Sequence, residues 1–267
     1  MDLSRFNNVW DMSKYENVLE VRDDGRICIV ALNRPPKHNA MSESMIYGLG
    51  HVFENMPDRI RCVVLHGNGK NFCAGLDLSQ HRHREPFESV LFSRYGHKAF
   101  EAIRLGNRPV VAALHGAVIG GGFEMAACAH VRVADTTTFF QLPEGRRGIY
   151  IGGGGSVRIR RIIGISRMME MLLTARKYDA ETGERLGIAH YVVPEGAALD
   201  KALELADDVA GNAPIVNYMI TQALSHINDM SAEDGLFTEA VAQAISLTSP
   251  DAKAGMEAFL NRRKINF

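Results

Sequence analysis

The chain has 267 residues, 46% of them hydrophobic and 23% charged, with a formal net charge of −1 at pH 7. That length supports a sizeable core, in one large domain or one domain with an appendage. The near-neutral balance excludes a whole-molecule field that would draw the protein to nucleic acid or an anionic membrane, and no apolar run reaches the ~20 residues of a membrane span. Four cysteines, Cys28, Cys62, Cys73 and Cys128, lie in apolar surroundings without C-x-x-C spacing, the pattern of free thiols in a reducing compartment. The opening "MDLSRFNNVWDMSKYENVLEV" is polar and acidic, with no signal-peptide core. The expected location is therefore the cytoplasm.

In chain order, "GRICIVALNRPPKHNAM" predicts a strand over Ile27 to Leu32, broken by Pro35-Pro36. Ser42 is placed to cap a helix whose apolar face carries Met45, Leu49, Val52 and Phe53. "RCVVLHG" reads as a buried strand running into the turn-rich "NGKNFCAGLDL". "HRHRE", residues 81–85, offers no metal-ligand geometry on one face and reads as solvated loop, so no metal is expected. "SVLFSRYGHKAFEAIRLG" is helical, "RPVVAALHG" a strand, "FEMAACA" a helix and "HVRVAD" a strand. "TTTFFQLPEGRRGIYIGGGG" follows as a loop with strand-like pieces. From Ser156 onward the pattern is helical except for "AHYVVP". The basic runs Arg146-Arg147, Arg158 to Arg161 and Arg262-Arg263-Lys264 read as solvated faces. Recurrent strand–helix units with continuously apolar strands suit a sheet covered on both faces. The reading is an α/β core over residues 1–200 and a helical region over 201–267, whose apolar faces exceed the core left to cover and suggest subunit packing.

Chemistry concentrates in "HGAVIGGGFEMAACAH", residues 115–130. A glycine run between a buried strand and a helix permits positive φ and close backbone approach. The first helical N–H groups lack intrahelical partners and suit an anion or a developing oxyanion. A dinucleotide loop needs G-x-G-x-x-G, which Gly120-Gly121-Gly122-Phe123-Glu124-Met125 does not supply. Tight strand–helix packing without a ligand remains the plain alternative. Glu144, twenty residues after Glu124, sits in the Gly-rich "QLPEGRRG" after a helix, strand and loop able to return it to Glu124. Two carboxylates in one apolar site do not both ionise cheaply and suit a shared proton. Ala74 and Gly75 of "FCAGLDL" follow a buried strand and offer a second backbone N–H.

Together "LNRPPKHNAM", "GKNFCAGLDL", "RPVVAALHGAVIGGGFEMAACAHVRVAD" and "FFQLPEGRRGIYIGGGGSVRIRRIIG" resemble the crotonase (enoyl-CoA hydratase/isomerase) superfamily, in consistent order over roughly residues 18–267. The resemblance implies a crotonase-like ββα spiral with a C-terminal helical trimerisation region, as homotrimer or dimer of trimers. It implies an acyl-CoA substrate and no separate cofactor, while the near-neutral charge and the lack of a membrane-length apolar run lead to the expectation of no nucleic-acid or membrane partner. It matches Ala74 and Gly121 to the oxyanion amides, Glu124 and Glu144 to the hydratase glutamates, and Gly152 to the glycine that helps place the attacking water. The CoA and acyl contacts it implies are Lys37, Ala40, Ala74, Gly75, Leu76, Asp77 and Tyr150. Isomerases of the family keep only the carboxylate matched by Glu144, so the expected activity is hydration. Gly145-Arg146-Arg147 and Tyr150-Ile151 depart from the usual apolar triplet and proline. They leave open a variant crotonase, such as a methylthioacryloyl-CoA hydratase, an enoyl-CoA isomerase or an acyl-CoA thioester hydrolase.

Overall fold

The computed structural model describes residues 12–80 and 83–267. It contains strands β1 (Leu19–Asp23), β2 (Ile27–Leu32), β3 (Cys62–Gly67), β4 (Val110–Leu114), β5 (Ala117–Ile119), β6 (Val131–Asp135), β7 (Phe139–Gln141), β8 (Lys177–Asp179) and β9 (Tyr191–Val193). The helices of the first two thirds are α1 (Glu43–Glu54), α2 (Pro86–Leu105), α3 (Gly121–Ala126), α4 (Gly155–Ile163), α5 (Ile165–Thr174) and α6 (Ala180–Arg185). The last part holds α7 (Ala198–Ala210), α8 (Pro214–Met219), α9 (Ser225–Ile227), α10 (Ala232–Leu247) and α11 (Pro250–Leu260).

The larger sheet has the order β1-β2-β3-β4-β6-β9, parallel except for the antiparallel β1–β2 pair. A second sheet has the order β5-β7-β8. After β4 and again after β6 the chain crosses from the first sheet to the second and then turns into a helix. The isolated parallel bridge of Cys73 to Val118 takes the same place after β3. This repeat is a ββα spiral. The terminal strand β1 was not evident in the sequence, because "LEVRD" is half polar. Leu19, Val21 and Asp23 are buried while Glu20 and Arg22 are partly exposed, the alternation of an edge strand. Strand β8 is another addition, too short to show a period.

Both faces of the larger sheet are covered, which explains its continuously apolar strands. Cys28, Val30 and Leu32 face the main core, where Met45, Leu49, Val52 and Phe53 of α1 pack. Ser42 caps α1 as the sequence predicts, its side chain accepting from Met45 N. On the other face Ile27, Ile29, Val64, Val111, Ala113 and Val133 meet α7. Helix α7 spans the boundary expected at residue 200. It presents Ala198, Ala202, Ala206 and Ala210 to the sheet, a spacing of four that forms one helix face. Methyl-sized side chains let the helix lie close against the strands.

All four cysteines are buried and free. No described helix is long and apolar enough to cross a membrane. His81 and Arg82 of the "HRHRE" segment lie outside the described residues.

The close approach of α7 has a direct test. Ala206 is fully buried, so Ala206→Leu overpacks the second core, at a cost of about 1–3 kcal/mol. The variant should melt several degrees below wild type, whereas Glu204→Leu on the exposed face should not.

Candidate active site

Strand β5 ends at Ile119, and Gly120 turns the chain into α3 with φ +54. Two demands make this residue glycine. The φ is left-handed, and a Cβ there would lie 2.5 Å from Glu144 Oε1. Gly121 opens the helix, so its N–H has no acceptor within the helix. Across from it stands the loop after β3. Gly75, at φ +93, bends that loop so that Leu76 N and Gly121 N come close. A Cβ built on Gly121 would lie 3.9 Å from Leu76 N, and one built on Gly75 would lie 3.6 Å from Gly121 N.

The Ala74 expectation needs correction. Its N–H donates to His38 O at 3.0 Å and is not free for a ligand. On either side of Leu76, Gly75 O accepts from Met41 N at 2.7 Å and Asp77 N donates to Met41 O at 2.9 Å. Leu76 N is left without a partner among the described residues. The pair of amides facing one space is therefore Leu76 and Gly121. The left-handed Gly75 is what transfers the role two residues along the loop.

Glu124 projects from the first turn of α3 and is 3% exposed, while Glu144 is 6% exposed. Both line a single cavity of about 180 Å³ with Gly75, Leu76, Gly120 and Gly121. Glu124 Oε1 accepts from Gly153 N at 2.8 Å and Gly155 N at 2.7 Å, so the carboxylate sits on the N-terminus of α4. Burial pushes the Glu124 pKa up to about 7, and the charge of Glu144 adds to this. The two N–H donors and Arg158 oppose the rise. Glu144 is also pushed above the ordinary carboxylate range by burial, opposed by its backbone bond and by Arg147. Its Oε2 is buried with no hydrogen-bond partner among the described residues. The two carboxyls thus differ in kind. Glu124 is surrounded by donors that favour its ionised form, and Glu144 has an oxygen that can carry a proton.

Gly152 lines the same cavity, and so do Ile149, Tyr150 and Ile151. Ile151 is buried and Tyr150 is 77% exposed, so the tyrosine stands at the mouth rather than packing inside. Asp77 is buried and ties two loops together. It pairs with Arg34 at 2.8 Å and accepts from Ser79 Oγ at 2.6 Å. The Ser79 bond and then Arg34 hold its carboxyl below the usual range. Lys37 is exposed on a short 3₁₀ turn, Pro35–Lys37, and Ala40 supplies its carbonyl to Arg34. Neither lines the cavity.

Several contributors were not evident in the sequence. Met41 lies against Gly121, Phe92, Ser93 and Phe100 of α2 form one wall of the cavity, and Ile46 and Leu78 also line it. Arg158 is a correction to the solvated basic run. It is buried and pairs with Glu101 Oε1 at 2.6 Å, while its neighbour Arg161 reaches Asp229 at the surface. An arginine three residues past a glycine run carries no local sign that it turns inward.

A carboxyl whose pKa rises from 4.5 in the unfolded chain to about 7 when folded binds more protons in the folded state between those values. Stability contributed by that group therefore falls as pH rises through the window. Glu124→Gln keeps an acceptor for Gly153 and Gly155 but cannot ionise. It should be more stable than wild type above pH 7, by on the order of 1–3 kcal/mol. The gap should close as pH falls toward 5, as followed by chemical denaturation across pH.

The chain as a whole has counterparts among known proteins. The family model for enoyl-CoA hydratase/isomerase matches residues 22–267. Enoyl-CoA hydratase EchA19 of Mycobacterium tuberculosis is 34% identical over 249 residues, covering 91% of this chain and 93% of that protein. A mitochondrial Delta(3,5)-Delta(2,4)-dienoyl-CoA isomerase of Dictyostelium discoideum is 27% identical, covering 92% and 89%. A crystal structure from Rhodopseudomonas palustris, named provisionally as an enoyl-CoA hydratase, superposes with a TM-score of 0.90 at 42% identity, over 96% of this chain and 98% of its own. By sequence along nearly its full length and by fold, the chain belongs to the enoyl-CoA hydratase/isomerase family.

Proposed function

We propose that the protein is an enoyl-CoA hydratase, adding water across the α,β double bond of an acyl-CoA thioester. The observation that carries this reading is the pair of buried, dissimilar glutamates in one cavity with two inward-facing amides. The thioester oxygen accepts from Leu76 N–H and Gly121 N–H, and the start of α3 stabilises the enolate charge that develops there. Glu124, ionised on the α4 N-terminus, takes a proton from water as its oxygen bonds to C3. Glu144 gives its proton to C2. The product is a 3-hydroxyacyl thioester, and one proton has passed from Glu144 to Glu124 by way of substrate and water. Exchange with solvent resets the pair. Gly152 is the proposed neighbour of the attacking water.

The small cavity, below the 300–1,000 Å³ usual for drug-sized ligands, supports a short acyl group. Arg147 and Tyr150 at its mouth favour a polar or heteroatom-bearing chain as the second reading. Coenzyme A is part of the substrate, held along the loops of Lys37, Ala40 and Gly75 to Asp77. In this reading Asp77 shapes that loop through Arg34 rather than touching the nucleotide. The proposed assembly is a trimer or a dimer of trimers in the cytoplasm. Its support is the apolar surface left open by this chain, including Phe237 at 73% and Phe259 at 82% exposed.

Three measurements test these statements. Glu124→Ala and Glu144→Ala should each lower kcat for hydration by about 10²–10⁴. The double variant should be little worse than the poorer single one, since the two act as a unit. An isomerase would instead lose activity with Glu144→Ala alone. Lys37→Ala should raise KM for CoA esters and leave kcat in place. Sedimentation should find trimers or hexamers, and a stable monomer would remove the assembly from the account.

A further inference from the structure

The peptide unit joining Gly152 to Gly153 is held at both ends. Ser93 Oγ donates to the Gly152 carbonyl at 2.7 Å. The N–H of that same peptide, carried by Gly153, donates to Glu124 Oε1 at 2.8 Å. One turn along α2, His97 Nε2 lies 3.4 Å from Ser93 Oγ. A further turn along, Glu101 pairs with Arg158, whose guanidinium bonds the Gly153 carbonyl. Ser93, His97 and Glu101 thus form one stripe, four residues apart, turned toward the glycine segment after Ile151. A hydrogen bond accepted by a peptide carbonyl polarises the unit and strengthens its N–H as a donor.

We infer that Ser93 is a positioning residue for hydration: by holding the Gly152 carbonyl it aims and strengthens the Gly153 N–H on Glu124, favouring the carboxylate that accepts the proton of water. His97 approaches both the Ser93 hydroxyl, at 3.4 Å, and the Gly152 backbone, and substitutions at Ser93 leave it in place. The kinetic consequence rests on the hydratase reading, whereas the effect on Glu124 does not. Glu144 and Arg158 are the other charged groups acting on Glu124, and substitutions at Ser93 leave both in place.

The test compares full-length wild type, Ser93→Ala, Ser93→Thr and Glu124→Gln. The Glu124 carboxyl infrared band, isolated by difference against Glu124→Gln, is titrated from about pH 5 to pH 9, around the position expected for a raised carboxyl. Ser93→Ala should move the midpoint upward and Ser93→Thr should restore it. With crotonyl-CoA, Ser93→Ala should lower kcat about 5- to 10-fold, the size of one lost hydrogen bond, with KM little changed. Should the alanine variant not fold, Ser93→Cys, a weak donor of similar shape, should move the midpoint the same way by less. An unchanged midpoint in a folded Ser93→Ala or Ser93→Cys variant, with or without a lower melting temperature, overturns the inference. Wild type inert toward enoyl-CoAs would defeat the hydratase reading, while the infrared titration still decides the role of Ser93.

Discussion

The structure turns on a buried carboxylate held by backbone amides. Glu124 Oε1 accepts from two amides at the entry to α4, those of Gly153 and Gly155. That arrangement keeps a buried acid able to ionise, because the donors and the positive end of the helix offset part of the desolvation. It also ties α3, which carries Glu124, to the glycine segment that enters α4. The glycines are the condition for this contact. A Cβ at Gly153 or Gly155 would lie 2.9 Å or less from atoms of Glu124 or the adjoining side chains Phe100 and Ile151.

Everything else holds those amides and their counterparts in place. The larger sheet delivers the loop after β3 and the turn after β4 to the same side, and the second sheet carries β5 and β7 toward Gly120 and Glu144. Helix α2 covers the cavity and, through Ser93 and through Glu101 with Arg158, grips the carbonyl side of the α4 entry. Arg34 and Asp77 tie the Pro35–Lys37 turn to the loop of Leu76. Burial and pairing are thus arranged around the cavity from three directions, and the alanine face of α7 seals the sheet from the other side.

Much of this was legible in the sequence because it rested on local physics. The apolar strand runs, the Ser42 cap and the glycine elbow each have a local cause, and the two glutamates were found from residue type and an excursion of chain. What escaped depends on three-dimensional return. Ala74 and Leu76 are two residues apart in one loop, and only the turn at Gly75 decides which amide faces Gly121. Arg158 looks like its exposed neighbours in the run, and only Glu101 on a distant helix shows why it is buried. Ser93 is an ordinary serine on an amphipathic helix until Gly152 is placed beside it. Strand β1 hid because an edge strand spends half its residues on solvent.

The central claim is that Glu124 must be ionised and Glu144 protonated for chemistry to begin. The pH dependence of kcat/KM for hydration of crotonyl-CoA by wild type tests it most directly. The account predicts an acid limb centred near the Glu124 value of about 7, with activity falling as pH drops through it. A profile that stays flat well below that pH, as an ordinary solvent-exposed glutamate would give, contradicts the account.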